Sequence, residues 1–205
     1  MKKVQLAAVM AVLLISAAAC AQVGVDVSVS GAGAFSKKTN SPTGPISDSP
    51  TKSAAVFGTV RYHFNHHNAF ELNLGHTKNS QIFTVPPDTY RVTTGILEYT
   101  AAYVFTPFNG KKLEPFLLAG AGGLKFGVGN TYIDGNQISL GAKSSISLAF
   151  LYGAGTDYNV FTHLALRLQY RGLIFKNPDF GSSSRFYTGA KGHMAEPALG
   201  IVLKF

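Results

Sequence analysis

The sequence predicts an all-β fold in which eight antiparallel strands close into an up-and-down barrel, and three observations lead to that prediction. Apolar and polar residues alternate with period two through most of the chain, which is the spacing of side chains on the two faces of a strand. Segments rich in proline and glycine interrupt this alternation, and they are long and short in turn. Only 14% of the 205 residues are charged, yet the chain has no long apolar run beyond its amino terminus.

The last nine residues, 197–205, show the alternation most clearly. One face of this strand is fully apolar and carries Leu199, Ile201, Leu203 and Phe205. Chain termini tend to fray, so a final aromatic residue is typical of a strand that ends at a membrane surface, where the ring is an interfacial anchor. The strand resembles the closing strand of bacterial outer-membrane β-barrels. That resemblance implies that Phe205 is an assembly signal for the barrel-assembly machinery.

The amino terminus is predicted to be a cleavable signal peptide, residues 1–21. Two lysines precede an apolar run that is too short to span a bilayer comfortably, and small residues follow it. Cleavage after Ala21 would leave 22–205 as the barrel domain. The residues before Cys20 also resemble a weak lipoprotein box, so lipidation of Cys20 stays open as an alternative. Cys20 is the only cysteine, so no disulfide is expected.

Eight strands are predicted, joined by connections that are long, short, long, short, long, short and long. The first seven strands are 22–35, 55–64, 69–77, 91–105, 113–126, 144–158 and 164–171, and the eighth closes the chain. The long connections are 36–54, 78–90, 127–143 and 172–192. The second contains Pro86-Pro87, which no central strand tolerates, and in the third Asp134-Gly135 predicts a hairpin that extends strands five and six beyond the membrane. An even strand number returns both termini to one side, predicted to be the periplasm.

The alternation alone does not show which face points inward, because a soluble barrel alternates equally well with its apolar residues inside. The polar faces distinguish the two possibilities. They are mostly Gly, Ala, Ser and Thr, whereas a water-facing surface would be rich in Lys and Glu. We therefore expect a transmembrane barrel with its polar faces inside. A periplasmic aromatic girdle is predicted from Tyr62, Phe64, Phe70, Tyr103, Phe105, Phe116, Tyr158 and Phe205.

The segment 114–122, EPFLLAGAG, is similar to the middle of the small eight-stranded outer-membrane barrel family, the OmpA-type and opacity-protein-like transmembrane domains. The resemblance covers essentially the whole mature chain. It implies a monomer in the bacterial outer membrane, without a cofactor, surrounded by outer-membrane lipids including lipopolysaccharide. The peptidoglycan-binding domain of larger members is expected to be absent.

Charged residues on the polar faces are predicted to form a balanced network in the lumen. The acids are Asp26, Glu71, Glu98, Asp157 and Glu196, and the bases are Arg61, Lys125, Arg167, Arg171 and Lys204. Sparse, balanced charges suit a crowded lumen, because an unpaired buried ion is costly. If Tyr158 pairs with Leu164 across the turn, Arg167 lies one diagonal step from Asp157, and Gly155 leaves room for its guanidinium. Eight strands enclose only enough space for side chains, so this network should block ion flow.

The sequence favours a structural or surface-interaction role, with a narrow channel for small solutes as the second hypothesis. An outer-leaflet lipid-modifying enzyme is the third. Its candidates are Ser182–Ser184 with His76 or His193 and Asp179, but their spacing offers no nucleophile-base pair, so no enzyme is predicted.

Three other patterns are weaker. The histidines near the first short turn, His63, His66 and His67, have no acidic or cysteine partner for a metal nearby in sequence except Glu71, whose predicted face is the lumen. No helix follows Gly120–Gly123, as a phosphate-binding loop would require. The loops carry surplus basic charge that could bind lipopolysaccharide phosphates or simply confer solubility. Export and scattered charge argue against nucleic acid, and the sequence identifies no extracellular ligand.

Overall fold

The computed structural model describes residues 24–41, 45–108, 110, 112–181 and 188–205. The predicted signal peptide, with Cys20 and the cleavage site after Ala21, lies outside these residues, and so does Ser182–Ser184. Within the described part of the chain, no helix has the length and apolar character needed to cross a membrane.

Eight long strands form the barrel. They are β1 (Val25–Ser36), β2 (Ser53–His63), β3 (Asn68–Val85), β4 (Asp88–Phe105), β5 (Leu113–Ile133), β6 (Ser145–Phe161), β7 (Leu164–Lys176) and β8 (Lys191–Lys204). Each strand pairs antiparallel with its neighbours in sequence, and β8 pairs with β1, so the sheet closes. Three two-residue strands, Thr39–Asn40, Ser47–Asp48 and Asn136–Gln137, extend the sheet at the end with the long connections. The predicted eight-stranded up-and-down barrel is confirmed.

The outer face of the barrel is apolar and the inner face is polar. Leu74, Leu168 and Leu199 are 60%, 60% and 63% exposed, and all three point away from the lumen. Arg61, Arg167 and Glu71, by contrast, are at most 2% exposed on the inner face. This is the reverse of a soluble barrel, and an outer face so rich in exposed large apolar residues around buried ions is typical of a barrel surrounded by lipid. The fold is therefore a transmembrane barrel, as the composition of the polar faces predicted.

The two faces of β5 are the reverse of the prediction. Phe116, expected in the outer aromatic girdle, is 2% exposed inside the lumen. Lys125, expected in the lumen, is exposed on the outer face, where the sheet register places it beside Leu97 and Ile146. The cause is that the inner face of β5 is itself apolar, so polarity did not identify it. The other members of the predicted girdle are exposed at the short-turn end.

The predicted long connection 78–90 is wrong. β3 and β4 instead pair continuously from Asn68 opposite Phe105 to Val85 opposite Asp88. Pro86-Pro87 forms the tip of this hairpin, where a residue without an N–H group removes no hydrogen bond from the sheet. The prolines thus mark a two-residue turn between two long strands.

The connection between β5 and β6 contains the predicted hairpin. Asp134 and Gly135 have φ angles of 46° and 85°, and such positive values at both central residues are those of the tight turns that join hairpin strands. β5 extends to Ile133 and pairs there with Asn136–Gln137 and with β4. β6 begins at Ser145. Of the two strands expected to project, β5 is therefore the one that does.

Candidate functional site

The lower lumen, towards the short turns, contains two arginine-carboxylate pairs formed by directly opposite residues. Arg61 on β2 faces Glu71 on β3, and its Nη2 and Nε donate to Glu71 Oε2 at 2.7 and 3.0 Å. Arg167 on β7 faces Asp157 on β6, and its Nε and Nη2 donate to separate oxygens of Asp157, both at 2.7 Å. Such two-pronged contacts between arginine and a carboxylate are strong and directional.

The two pairs meet across the barrel. Arg61 Nη1 lies 3.5 Å from Asp157 Oδ2, and Arg167 Nη1 lies 3.8 Å from Glu71 Oε2. Arg167 Nη1 also donates to Ser28 Oγ on β1 at 3.4 Å. The four charges therefore form one neutral group that spans the lumen, which we call the charge ring: Arg61, Glu71, Asp157 and Arg167.

The aromatic ring of Phe116 packs against the charge ring. Its centroid lies 4.3 Å from Cζ of Arg61 and 5.2 Å from Cζ of Arg167, within the range of favourable cation-π contact. Gly155 lies opposite Phe116, and a Cβ atom there would come within 2.5 Å of the Phe116 ring. Gly155 was predicted to make room for the Arg167 guanidinium, but the space it leaves is filled by Phe116.

The register between β6 and β7 also differs from the prediction. Arg167 lies directly opposite Asp157, not one diagonal step away. β6 continues to Phe161, which pairs with Leu164, and the register then shifts between Leu164 and Ala165. A β-bulge of this kind places an extra residue on one strand, and counting outwards from the turn could not detect it.

A second charged layer lies above the charge ring. Arg171 on β7 is fully buried and donates to Glu98 on β4. Its Nη2 also lies 3.3 Å from Oε2 of Glu196, which faces it on β8. The ring of Phe57 covers the guanidinium, with its centroid 4.1 Å from Cζ. This second layer has one cation and two carboxylates.

Above the Arg171 layer, the upper lumen contains an apolar cap of side chains such as Ile96, Phe126 and Leu173. Polar side chains, among them Asn79, Gln81 and Thr94, are buried on the same inner face of β3 and β4. Phe126 packs against Phe175 with ring centroids 5.7 Å apart, and Phe83 packs edge-on against Phe180 at 6.1 Å. The lumen is thus filled in three layers: the charge ring with Phe116, the Arg171 layer and this apolar cap.

Residues 6–192 of the chain match the family model described as "Outer membrane protein beta-barrel domain". The chain belongs to this family. As an outer-membrane barrel it is similar to the solved structure of Neisserial surface protein A, with 18% identity and a TM-score of 0.51 over 88% of this chain and 97% of that one. It is also similar to OprG from Pseudomonas aeruginosa, with 13% identity and a TM-score of 0.54 over 89% and 96%. At these identities the likeness shows the fold alone. The chain has no significant match among curated proteins.

Seven of the ten charged residues predicted for the lumen lie in the two charged layers of this outer-membrane barrel. Of the other three, Lys125 is on the outer face, and Lys204 Nζ donates to Glu114 Oε2 at 2.6 Å at the short-turn end. Asp26 lies at the same end, with Oδ2 2.8 Å from His63 Nε2. Among the described residues, no three His, Cys, Asp or Glu side chains are grouped so that they could hold a metal ion.

Two aromatic residues of the outer-membrane barrel's lumen were missed from the sequence, Phe57 and Phe116. Each ring packs against a buried guanidinium group, so each is part of one of the two charged layers. A glycine directly opposite, such as Gly155 opposite Phe116, is the only sequence signal for such a ring, and it is readable only once the strand register is known.

At the long-loop end, beyond the lipid-facing part of the strands, Asp48 is fully buried. It pairs with Phe83 near the far end of β3. Its Oδ2 accepts a hydrogen bond from Asn177 Nδ2 at 3.2 Å, whereas its Oδ1 has no partner among the described residues. Burial disfavours the charged form and raises the pKa of Asp48 to about 7, although a backbone hydrogen bond from Ile82 opposes the change.

Asp48→Asn is therefore expected to stabilise this end of the barrel at pH 8 and to have little effect at pH 4. The pKa of Asp48 in the folded protein lies above the ordinary value of 3.8, so the protonated carboxyl stabilises the fold. This stabilisation is fully present below pH 3.8 and is lost as the pH rises through 7. At about 1.4 kcal/mol per pKa unit, the gain amounts to about 4 kcal/mol at most.

The measurement is amide hydrogen-exchange protection around Ser47–Asp48 and at the far end of β3, at both pH values. Asp134→Asn, at the exposed hairpin tip, is the matched control and should show no such pH dependence. An equal effect of Asp48→Asn at pH 4 and pH 8 would show that the buried carboxyl does not titrate in this range.

Proposed function

We propose that the protein is a closed outer-membrane barrel with a structural or surface-interaction role, conducting little or nothing. The observation that carries this proposal is the charge ring, in which Arg61 and Arg167 meet carboxylates from both sides of the lumen and pack against Phe116. Each of these ions is at most 3% exposed. A barrel filled in this way can present its loops and have a structural role in the membrane, and it needs no water-filled path through its lumen.

The two alternative functions require features that the described residues do not favour. A narrow channel needs the charge ring to separate, which would leave buried ions unpaired at a high cost. A lipid-modifying enzyme needs a nucleophile beside a base. His193 instead has its Nε2 2.8 Å from Tyr152 Oη on the outer face. Chemical analysis of lipid A from expressing and non-expressing cells tests the enzymatic alternative directly, and unchanged lipid A is the expected result.

We further propose that both termini and the short turns lie in the periplasm, with the long connections at the cell surface, and that the protein is a monomer. The short turns connect β2 to β3, β4 to β5 and β6 to β7. This asymmetry of short periplasmic turns and longer outer loops is usual in outer-membrane barrels.

Protease added to intact cells is expected to cut, if anywhere, within the surface connections 37–52, 138–144 or 177–190. The β3–β4 hairpin, predicted from the sequence to be a cleavable loop, should resist because its backbone is paired up to Val85 and Asp88. The same protease on permeabilised cells is the control for access to the other side. Cleavage within 64–67 or at 162–163 in intact cells would invert the proposed orientation.

A further inference from the structure

Four buried polar side chains meet at the long-loop end of the barrel, and they come from two connections that are far apart in the sequence. Thr39 and Asp48 belong to the connection between β1 and β2, and Asn177 and Thr188 belong to the connection between β7 and β8. None of the four is more than 7% exposed. Thr39 lies directly opposite Asp48 in the sheet, so both side chains point to the same side. We call these four residues the polar cluster.

Three oxygen atoms of the polar cluster converge on one nitrogen atom. Asn177 Nδ2 lies 2.6 Å from Thr39 Oγ1, 3.2 Å from Asp48 Oδ2 and 3.4 Å from Thr188 Oγ1. An amide nitrogen carries two hydrogen atoms, so it can satisfy at most two of these three acceptors. Asp48 Oδ1 in addition has no hydrogen-bond partner among the described residues. The polar cluster therefore has buried oxygen atoms that the chain itself leaves without a donor.

The carboxylate of Asp48 also lacks a positive charge to balance it. In the parts of the chain that the structure describes, no lysine, arginine or histidine forms an ion pair with Asp48. Lys176 precedes Asn177 in the sequence, but it is exposed on the outer face of β7, whereas Asn177 is buried. Charged groups that are buried in proteins are normally paired with an opposite charge or coordinate a metal ion.

We propose that the polar cluster binds a calcium ion. Carboxylate, hydroxyl and amide oxygens are the ligands that calcium takes, and bound water can complete its coordination. Rotation of the Asn177 amide would exchange Nδ2 for Oδ1, so that all four side chains would present oxygen to the ion. The distances of 2.6 to 3.4 Å around Asn177 Nδ2 are longer than the 2.3–2.6 Å of calcium–oxygen bonds, so the side chains would move inward by up to about 1 Å.

A calcium ion at this position would join two surface connections across the mouth of the barrel. Thr39 and Asp48 would be held to Asn177 and Thr188 by shared coordination, in addition to the hydrogen bonds of the Asn177 amide. With a single carboxylate, the site is expected to be weak, with a dissociation constant of about 10⁻⁴–10⁻³ M, as in extracellular calcium-binding modules. The charge ring lies further down the lumen, so calcium should order the long-loop end and leave conductance unchanged.

The test is amide hydrogen exchange of the full-length protein refolded in phosphatidylcholine vesicles, at pH 8, in EDTA, in calcium or in magnesium, each ion at about 5 mM. One site raises protection by a factor of one plus the ratio of calcium concentration to dissociation constant, which gives about 6- to 50-fold. We expect this increase at Thr39–Asn40, Ser47–Asp48 and Asn177. Magnesium should raise protection less than twofold, because it requires a tighter octahedral site and gives up its water reluctantly.

Three variants identify the ligands. Asp48→Asn removes the charge without changing the shape, and it should reduce the calcium effect to less than twofold. Thr188→Val removes one oxygen ligand and should reduce the effect at least threefold. Asp179→Asn, which removes an acid of the same connection outside the polar cluster, is the matched control and should stay within twofold of wild type. Each variant is compared in calcium and in EDTA, so its effect on the ion-free protein cancels, and the folded band on unheated gels confirms that the barrel is intact.

An equal increase in protection in calcium and magnesium would overturn the proposal in favour of general charge screening. An unchanged calcium effect in Asp48→Asn, or its loss in Asp179→Asn, would show that other acids hold the ion. No increase in wild type would mean that the polar cluster does not bind calcium. Bilayer conductance reports separately on the lumen, so each of these results leaves the proposed closed barrel to be decided on its own evidence.

Discussion

Arg167→Ala is expected to lower the free energy of unfolding by about 3–5 kcal/mol, because it leaves a buried carboxylate without its principal partner. Asp157 accepts two hydrogen bonds from Arg167, and its remaining cationic contact in the charge ring is Arg61 at 3.5 Å. The loss also opens space beside Phe116, so the variant should conduct more than wild type. Urea unfolding in vesicles and bilayer recording measure the two effects.

Adding Asp157→Ala should recover part of the lost stability while leaving the barrel leaky. With both residues removed, Arg61 and Glu71 remain as a complete neutral pair joined at 2.7 Å. The two single variants and the double variant form a cycle whose coupling free energy should reach about 1–3 kcal/mol. Gln169→Ala, at the next inward position on β7, is the control and should show no coupling to Asp157. A coupling free energy near zero would mean that the pair does not stabilise the barrel.

Deletion of Phe205, or Phe205→Asp, is expected to reduce outer-membrane insertion in cells more than tenfold. Phe205 continues the outward apolar face of β8, and its N–H donates to Val25 O at 3.0 Å. An acid near the membrane interface costs only about 1 kcal/mol or less. We therefore expect near-normal refolding of both variants into vesicles, since the proposed role of Phe205 is recognition by the barrel-assembly machinery.

Lys204→Gln is the control for the Phe205 variants. It changes the adjacent residue and breaks the pair with Glu114, but it leaves the terminal ring in place. Its insertion in cells should be close to that of wild type. If all three variants insert equally well, Phe205 is not an assembly signal. If the Phe205 variants also fail to refold in vitro, its role is in stability.

The strands and the lumen charges could be predicted from the sequence because both depend on local pattern. Period two places Arg61, Glu71 and Arg171 on the same side of their strands as small polar residues, which already identifies the lumen face. The closed sheet places these three side chains inside the barrel. The lumen face of β5 could not be assigned from polarity, because both of its faces carry apolar or small residues. Only closure of the barrel shows that Phe116 points inward and Lys125 outward.

The contacts between charges could not be predicted because they depend on register. The bulge at Leu164/Ala165 brings Arg167 directly opposite Asp157, and no residue type in that turn signals the shift. Contacts across the lumen, such as Arg61 with Asp157, join strands that are not neighbours in the sheet. Contacts at the closure of the barrel likewise required the pairing of β8 with β1, which brings Lys37 beside His193 although they lie at opposite ends of the chain.

Planar-bilayer conductance of the refolded wild-type protein tests the closed lumen most directly. The three layers predict no stable open channel, with at most rare and brief openings, in a molar potassium chloride solution. Arg167→Ala in the same bilayers is the positive control, since it should conduct measurably more. A wild-type protein that conducts steadily like an open porin, at the same level as Arg167→Ala, would contradict the account.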